Sequence, residues 1–534
     1  MVSDGEPGNV EGRSAGGPYP PIGDYALLGD CHSTALVSRS GSIDWACLRR
    51  FDSPSVFGRL LDWERGGFFA LSPVGLRHSS RRYLEGTLVL ETIADTATGT
   101  ARILDAFAMR HGGRTEPHHQ LLRVVEGLTG RVEIDVVMEP RFDYGDLRPW
   151  LRTPGPGTFT AVGGEDALVL HTDAELALDD DRTGIRGRFA VTSEQRVRLS
   201  LVSQWAHELD RNVGPIDQVD RRLDQTVAWW RGWSADTVAD GPYEAHIRQS
   251  AAVLKALTCA PSGAVVAAPT TSLPERIGGE RNWDYRYSWV RDSTLTVDAL
   301  SLAGHREVAR GFRDFLMRSA AGQAEDLQIL YGPYGARRLD EFEVGLSGYR
   351  GSRPVRVGNA AANQRQLDVH GHILDLAHQW GRLDVPPEPD EWRFLRQVVD
   401  AAADNADKPD QGIWEMRGAS QHFVHSKVMV WVALDRGVRI CEALGRDLRD
   451  AERWSAVRDR LRKEIEGRGL DAAGEHFVQA YGSEEVDASL LRLSVLGFVD
   501  AHDARMIRTV EVIRERLAVP PHGFLRRYST ATVR

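Results

Sequence analysis

Cysteine is scarce in this chain: four in 534 residues. Cys31, Cys47, Cys259 and Cys441 lie far apart, with no C-x-x-C pair and no histidine at metal-ligand spacing. That argues against a disulfide framework and against a metal site, and it fits free, buried thiols in a reducing compartment. Long apolar runs are lacking too. None approaches the roughly 20 residues that span a bilayer. The first twenty residues hold no apolar core of a signal peptide. The expectation is therefore a cytoplasmic protein with no membrane contact. Basic stripes are missing as well. The net charge is −10 and no Lys/Arg-rich arm occurs, so no nucleic-acid footprint is expected. No G-x-G-x-x-G follows a strand, so nothing points to a redox cofactor.

Hydrophobic residues make up 42% of the chain and charged ones 27%, enough for a large core. The length suggests two large domains. Residues 1–20 are Gly-, Pro- and charge-rich and read as a disordered tail. From 21 to 215 the pattern has period two. Val132, Ile134, Val136 and Met138 alternate with Glu133 and Asp135; Val197, Leu199 and Leu201 alternate with arginine and serine. Many short strands with turn signals predict an antiparallel β-sandwich. Residues 216–242 read as a linking helix. From 243 to 534 the spacing predicts about nine helices, near 243–260, 288–303, 306–320, 362–380, 389–405, 421–444, 447–467, 484–497 and 502–517. The one near 421–444 is apolar on most sides and should be deeply buried.

Two segments concentrate chemistry. In Ile277–Asp292 the charges Arg281, Asp284, Arg286, Arg291 and Asp292 stand among Trp283, Tyr285, Tyr287 and Trp289. Such a run suits a polar, aromatic-walled pocket, where charged groups grip hydroxyls and rings stack on a sugar. A loop held by internal salt bridges suits it equally. In 412–427 Glu415 sits between Trp414 and Met416, with Arg417 nearby. A carboxyl in an apolar surround keeps its proton, as a general acid must. Taken alone, a Trp-Glu pair is far more often a salt-bridged loop. A third segment, 348–368, carries four arginines among Gly, Asn and Gln. It reads as a structured loop over a pocket, or as an anion-recognition stretch.

Together these segments resemble bacterial, trehalase-like members of the glucoamylase/trehalase family, glycoside hydrolase family 15. PIGDYALLGDCHSTALVSRSGSIDWACLRRFDSPSVFGRLLD, GGERNWDYRYSWVRD, GYRGSRPVRVGNAAANQRQLDV and GIWEMRGASQHFVHSK follow in the family's order, from Pro21 to about Tyr528. The resemblance implies a β-sandwich followed by an (α/α)6 toroid of twelve helices. It implies inverting hydrolysis of a small α-glucoside, trehalose above all, with glucoamylase- or glucodextranase-like action on α-1,4 or α-1,6 glucan ends as the alternative. Glu415 takes the place of the general acid. Tyr285, Trp289, Arg291 and Asp292 match residues that hold the glucose, and Trp283, Asp284, Trp414 and Arg417 are neighbours in the same motifs. No cofactor is required; phosphate and magnesium enter only by family analogy. The oligomeric state is open.

The match also implies a departure. The family's general base lies in a segment like S-E-(Q/E)-Y-D near the end, and no such segment follows Gly523–Tyr528. Glu484 and Glu485 match a different stretch. The expectation from the sequence is a toroid short of about three helices and, as a third reading, a catalytically dead product.

Overall fold

The computed structural model describes residues 18–210, 213–382, 387–445 and 447–529; most of the expected tail, residues 1–17, lies outside them. The chain divides into two compact units. The first comprises the described residues up to Pro261 with Val266–Tyr287 and Asp340–Asn359. The second comprises Ser262–Val265, Ser288–Leu339 and the described residues from Ala360 onward.

The first unit is built on one fifteen-stranded sheet. Its spine is the twenty-residue strand Gln120–Glu139. The first half of that strand pairs antiparallel with Gly99–Phe107 and Arg196–Trp205. The second half pairs antiparallel with Phe68–Pro73 and Ile185–Thr192. Between the halves Gly130 takes φ +58°, where a Cβ would lie 2.1 Å from the Thr98 carbonyl oxygen. Only glycine allows the strand to pass there. Leu121 and Val125 from one half share an apolar core with Val132, Ile134, Val136 and Met138 from the other, so the sheet folds over on itself. Each such side chain contributes about 1.5–3 kcal/mol when buried. The expected period-two pattern is therefore seen directly in the second half. Two helices belong to this unit: α1 (Gln218–Ala235) and α2 (Glu244–Ala256). Val219 and Leu223 of α1 cover Leu104, Leu122 and Val124 on the sheet's other face.

The second unit is helical: α3 (Val290–Leu302), α4 (Arg306–Ser319), α5 (Asp368–Arg382), α6 (Pro389–Asp404), α7 (Val424–Leu444), α8 (Leu448–Arg468), α9 (Arg492–Val495) and α10 (Ala504–Leu517). α7 is buried on nearly every side, as its composition predicts. It packs on α5, α6 and α8. Gly371 of α5 lets α7 come close, since a Cβ there would stand 2.3 Å from the Met429 carbonyl oxygen. α6 starts with a proline and a Glu388/Glu391 capping box, which satisfies two otherwise orphaned amides.

The helix expected over 484–497 is a correction. Only a 3-10 turn, Ala488–Leu491, and the four-residue α9 form there. Asp487 spends its side chain as a cap on the Ser489 amide, and Gly482 and Gly497 both adopt positive φ, so the chain turns at each end. The expected starts at 362 and 421 also move inward, to Asp368 and Val424, because the preceding residues are held in turns and bridges. Among the described residues, no helix is long and apolar enough to cross a membrane, and no group of three or more His, Cys, Asp or Glu could hold a metal ion. All four cysteines are free and buried.

Candidate active site

The run 277–292 is divided between the units after Tyr287. In its first part the internal salt bridge prevails. Asp284 and Arg286 are both fully buried. Arg286 Nε donates to Asp284 Oδ1 at 2.9 Å and Nη2 to Oδ2 at 2.6 Å. Its remaining donors go to the Ser53 carbonyl and the Tyr144 hydroxyl, each at 2.8 Å, and to Cys47 Sγ at 3.6 Å. The Arg286 amide takes Asp284 Oδ1 as well. Asp284 therefore presents no open oxygen. Trp283 lies under the Arg356 guanidinium, 4.6 Å from its ring centre. Tyr285 is half-buried in the same unit.

The second part builds a different object. Ser288 and Trp289 pair with Tyr331 and Leu330, and this fixes Trp289 as the residue on which α3 begins. Arg291 and Asp292 then fall in the first turn of α3. Trp289 Nε1 donates to Glu415 Oε1 at 2.7 Å. Arg291 Nη2 reaches the same oxygen at 3.3 Å. Arg291 Nη1 donates to Gln366 Oε1 at 2.8 Å and to Asp368 Oδ2 at 3.1 Å. Three segments distant in sequence thus meet on one guanidinium.

Asp292 stands beside this cluster, with Oδ2 3.8 Å from Arg291 Nε. Its side chain is 48% exposed. Burial pushes its carboxyl above the usual range, against the pull of Arg291. Asp368 goes the other way: burial alone would raise it, but the charge of Arg291 holds it below the carboxylate range. Under Asp368 lie two buried histidines. Burial pushes His372 down to about 3 and His425 down to about 4, so both are neutral.

Glu415 itself adopts φ +57°. A non-glycine residue in that region stores about 1–3 kcal/mol and must be held there by its surroundings. Its amide donates to the Gly412 carbonyl at 3.2 Å and the Met416 amide to that of Gln411 at 3.0 Å. The apolar surround expected for its carboxyl is a correction. The side chain is 22% exposed, and Oε1 accepts from an indole and a guanidinium. Among the described residues, Oε2 takes no hydrogen bond. Both donors thus engage Oε1, and neither reaches Oε2.

The structure thus brings Trp289, Arg291, Asp292 and Glu415 together. Trp414 turns away from this group, its Nε1 donating to Asp487 Oδ2 at 2.8 Å. Arg417 is exposed. Gln366 and Asp368, which anchor Arg291, were not singled out by the sequence. The available signal was a polar stretch, Asn363–Asp368, that ends in an acid at the start of an apolar helix.

Two family profiles match the chain: glycosyl hydrolases family 15 over residues 241–534, and a trehalase-like N-terminal domain over 12–222. The trehalase of Mycolicibacterium smegmatis is 38% identical, over 96% of this chain and 79% of that protein. The trehalase of Mycobacterium tuberculosis is 39% identical, over 96% and 78%. That of Thermoplasma volcanium is 33% identical, over 95% and 81%. Among solved structures, a wild-type glycosidase is similar at 22% identity and a TM-score of 0.41, over 53% of this chain and 71% of that one.

Proposed function

The chain belongs to glycosyl hydrolases family 15, and on that premise we propose that it hydrolyses trehalose to two molecules of glucose with inversion, Glu415 being the general acid. One observation carries the residue assignment: Glu415 Oε1 is held by Trp289 and Arg291 while Oε2 is left free. A carboxyl held in this way delivers its proton from a fixed position. The Oε2 proton passes to the glycosidic oxygen, the bond from that oxygen to the anomeric carbon breaks, and the first glucose leaves. Water adds to the anomeric carbon from the opposite face and gives its proton to a second carboxylate. No described residue is assigned that second role.

Asp292, half open beside Arg291, accepts from the sugar hydroxyls, and the edge of the Arg291–Trp289 group closes one side of the glucose pocket. Asp284 is left out of the site because Arg286 occupies both its oxygens. The trehalase names of the relatives favour trehalose over maltose and isomaltose. Four buried free thiols favour the cytoplasm.

The test is a comparison of kcat/KM on trehalose, maltose and isomaltose with the full-length protein. Trehalose is expected to lead by at least about 10-fold, the order of discrimination that one well-shaped leaving-sugar site supplies. Equal or higher values on maltose or isomaltose would move the protein to the glucoamylase- or glucodextranase-like reading.

A further inference from the structure

The loop that carries Glu415 is gripped at two points by buried carboxylates that the mechanism does not use. The first is Asp410, at the loop's stem. Its Oδ2 accepts from the Leu367 amide at 3.0 Å, and the Gly412 amide lies against the same group. Asp410 also exchanges both backbone hydrogen bonds with Gln421, each at 2.9 Å, which closes the loop. Next to it the Gln411 amide donates to the Arg365 carbonyl at 3.1 Å, and Gln411 Oε1 accepts from the Arg365 amide at 3.0 Å. Residues 365–367 and 410–412 are thus tied side by side. One of these stretches runs on into Asp368, the anchor of Arg291; the other runs on into Glu415.

The second point is Asp487. Its Oδ2 accepts from Trp414 Nε1 at 2.8 Å and from Gln479 Nε2 at 3.1 Å, and its Oδ1 from the Ser489 amide at 2.7 Å. Trp414 is the residue before Glu415. Between the two grips sits the left-handed backbone of Glu415, which does not hold itself. Both grips need acceptors only. A carboxylate offers two acceptor oxygens, whereas an amide side chain turns an N–H toward one of the donors. Burial pushes Asp410 up to about 6 and Asp487 above the carboxylate range, so neither is placed where a carboxyl is most at ease.

We infer that Asp410 and Asp487 are positioning residues for the acid: together they set Glu415 Oε1 within reach of Trp289 and Arg291, and so fix where Oε2 delivers its proton. This rests on the reading of Glu415 as the acid. Misplacement of a catalytic group by about 1 Å costs on the order of 100-fold, and it acts on turnover rather than on ground-state binding.

The experiment compares Asp410→Asn, Asp487→Asn and Trp414→Phe with the parent, in the full-length protein. Trp414→Phe removes the indole donor to Asp487 and trims the ring that packs near Arg527 and Tyr528, while leaving both aspartates in place, so it keeps the test open should an aspartate variant fail to fold. Glu415→Gln runs in parallel. The readouts are kcat and KM on trehalose, glucose affinity by calorimetry, and the thermal transition. The expected result is a kcat lowered by about 10–100-fold, with KM and glucose affinity within about threefold of the parent. The clamp is overturned if folded variants keep kcat within about twofold while Glu415→Gln is inactive. It is also overturned if glucose affinity falls in step with kcat, which would mean a collapsed pocket. Full activity of Glu415→Gln would overturn the acid assignment, and the clamp with it.

Discussion

Glu415→Gln is expected to lower kcat on trehalose by about 10²–10⁴-fold, the usual worth of one general acid, with glucose affinity nearly unchanged. The amide has the size of the carboxyl, and its oxygen can still accept from Trp289 and Arg291. Its NH2 then takes the place of Oε2 but is far too weak an acid to protonate a leaving oxygen. Steady-state turnover and calorimetric glucose titration of parent and variant decide the matter. Turnover within about threefold of the parent would leave Glu415 as a loop residue paired to Arg291, the reading that an isolated Trp-Glu pair invites.

Arg291→Met should have the largest effect on the fold as well as on activity. Arg291 faces Asp368, Asp292 and Glu415, and Asp368 has no exposed surface. Removing the cation strands a buried carboxylate, which typically costs about 3–5 kcal/mol. The same principle supplies a control. The double change Arg291→Met with Asp368→Leu removes both charges and should regain most of that stability, while activity stays at background. Denaturant unfolding of the single and double variants measures this. A loss under about 1 kcal/mol in the single variant, or no recovery in the double, would contradict the ion pair as the anchor of the site.

What could be read from the sequence follows from how local each cause is. The alternation from Val132 to Met138 is a property of one strand with one wet face, and it appears in the fold as such. The apolar run of α7 is likewise local, and its burial was legible. The region 484–497 was not, because its helical spacing gives way to Asp487, whose side chain is drawn off to Trp414, Gln479 and Ser489. Only the third of those partners is a near neighbour on its own turn. The site divides in the same way. Trp289, Arg291 and Asp292 stood out in a run crowded with aromatic and charged residues, and Glu415 through its family-like motif, since its Trp-Glu pair alone reads as a salt-bridged loop. Asp284 stood out in that same run, but a charge in a motif looks alike whether it faces a ligand or an arginine two residues on. Asp410 carries no local mark, and Asp368 and Gln366 carry only that of a polar stretch before an apolar helix: the partners of Asp368, Gln366 and Asp410 lie 77, 75 and 43 positions away, and only the fold brings them together.

The stereochemistry of trehalose cleavage tests the assignment of family, substrate and acid at once. With Glu415 protonating the bridging oxygen from one side and water adding from the other, the attacked glucose is released as the β anomer. The departing glucose keeps its own bond and leaves as the α anomer. Proton NMR of the full-length protein with trehalose, recorded before mutarotation sets in, should therefore show α- and β-glucose appearing in equal initial amounts. Initial release of α-glucose alone would mean retention at the attacked carbon, and would contradict an inverting mechanism with Glu415 as its acid.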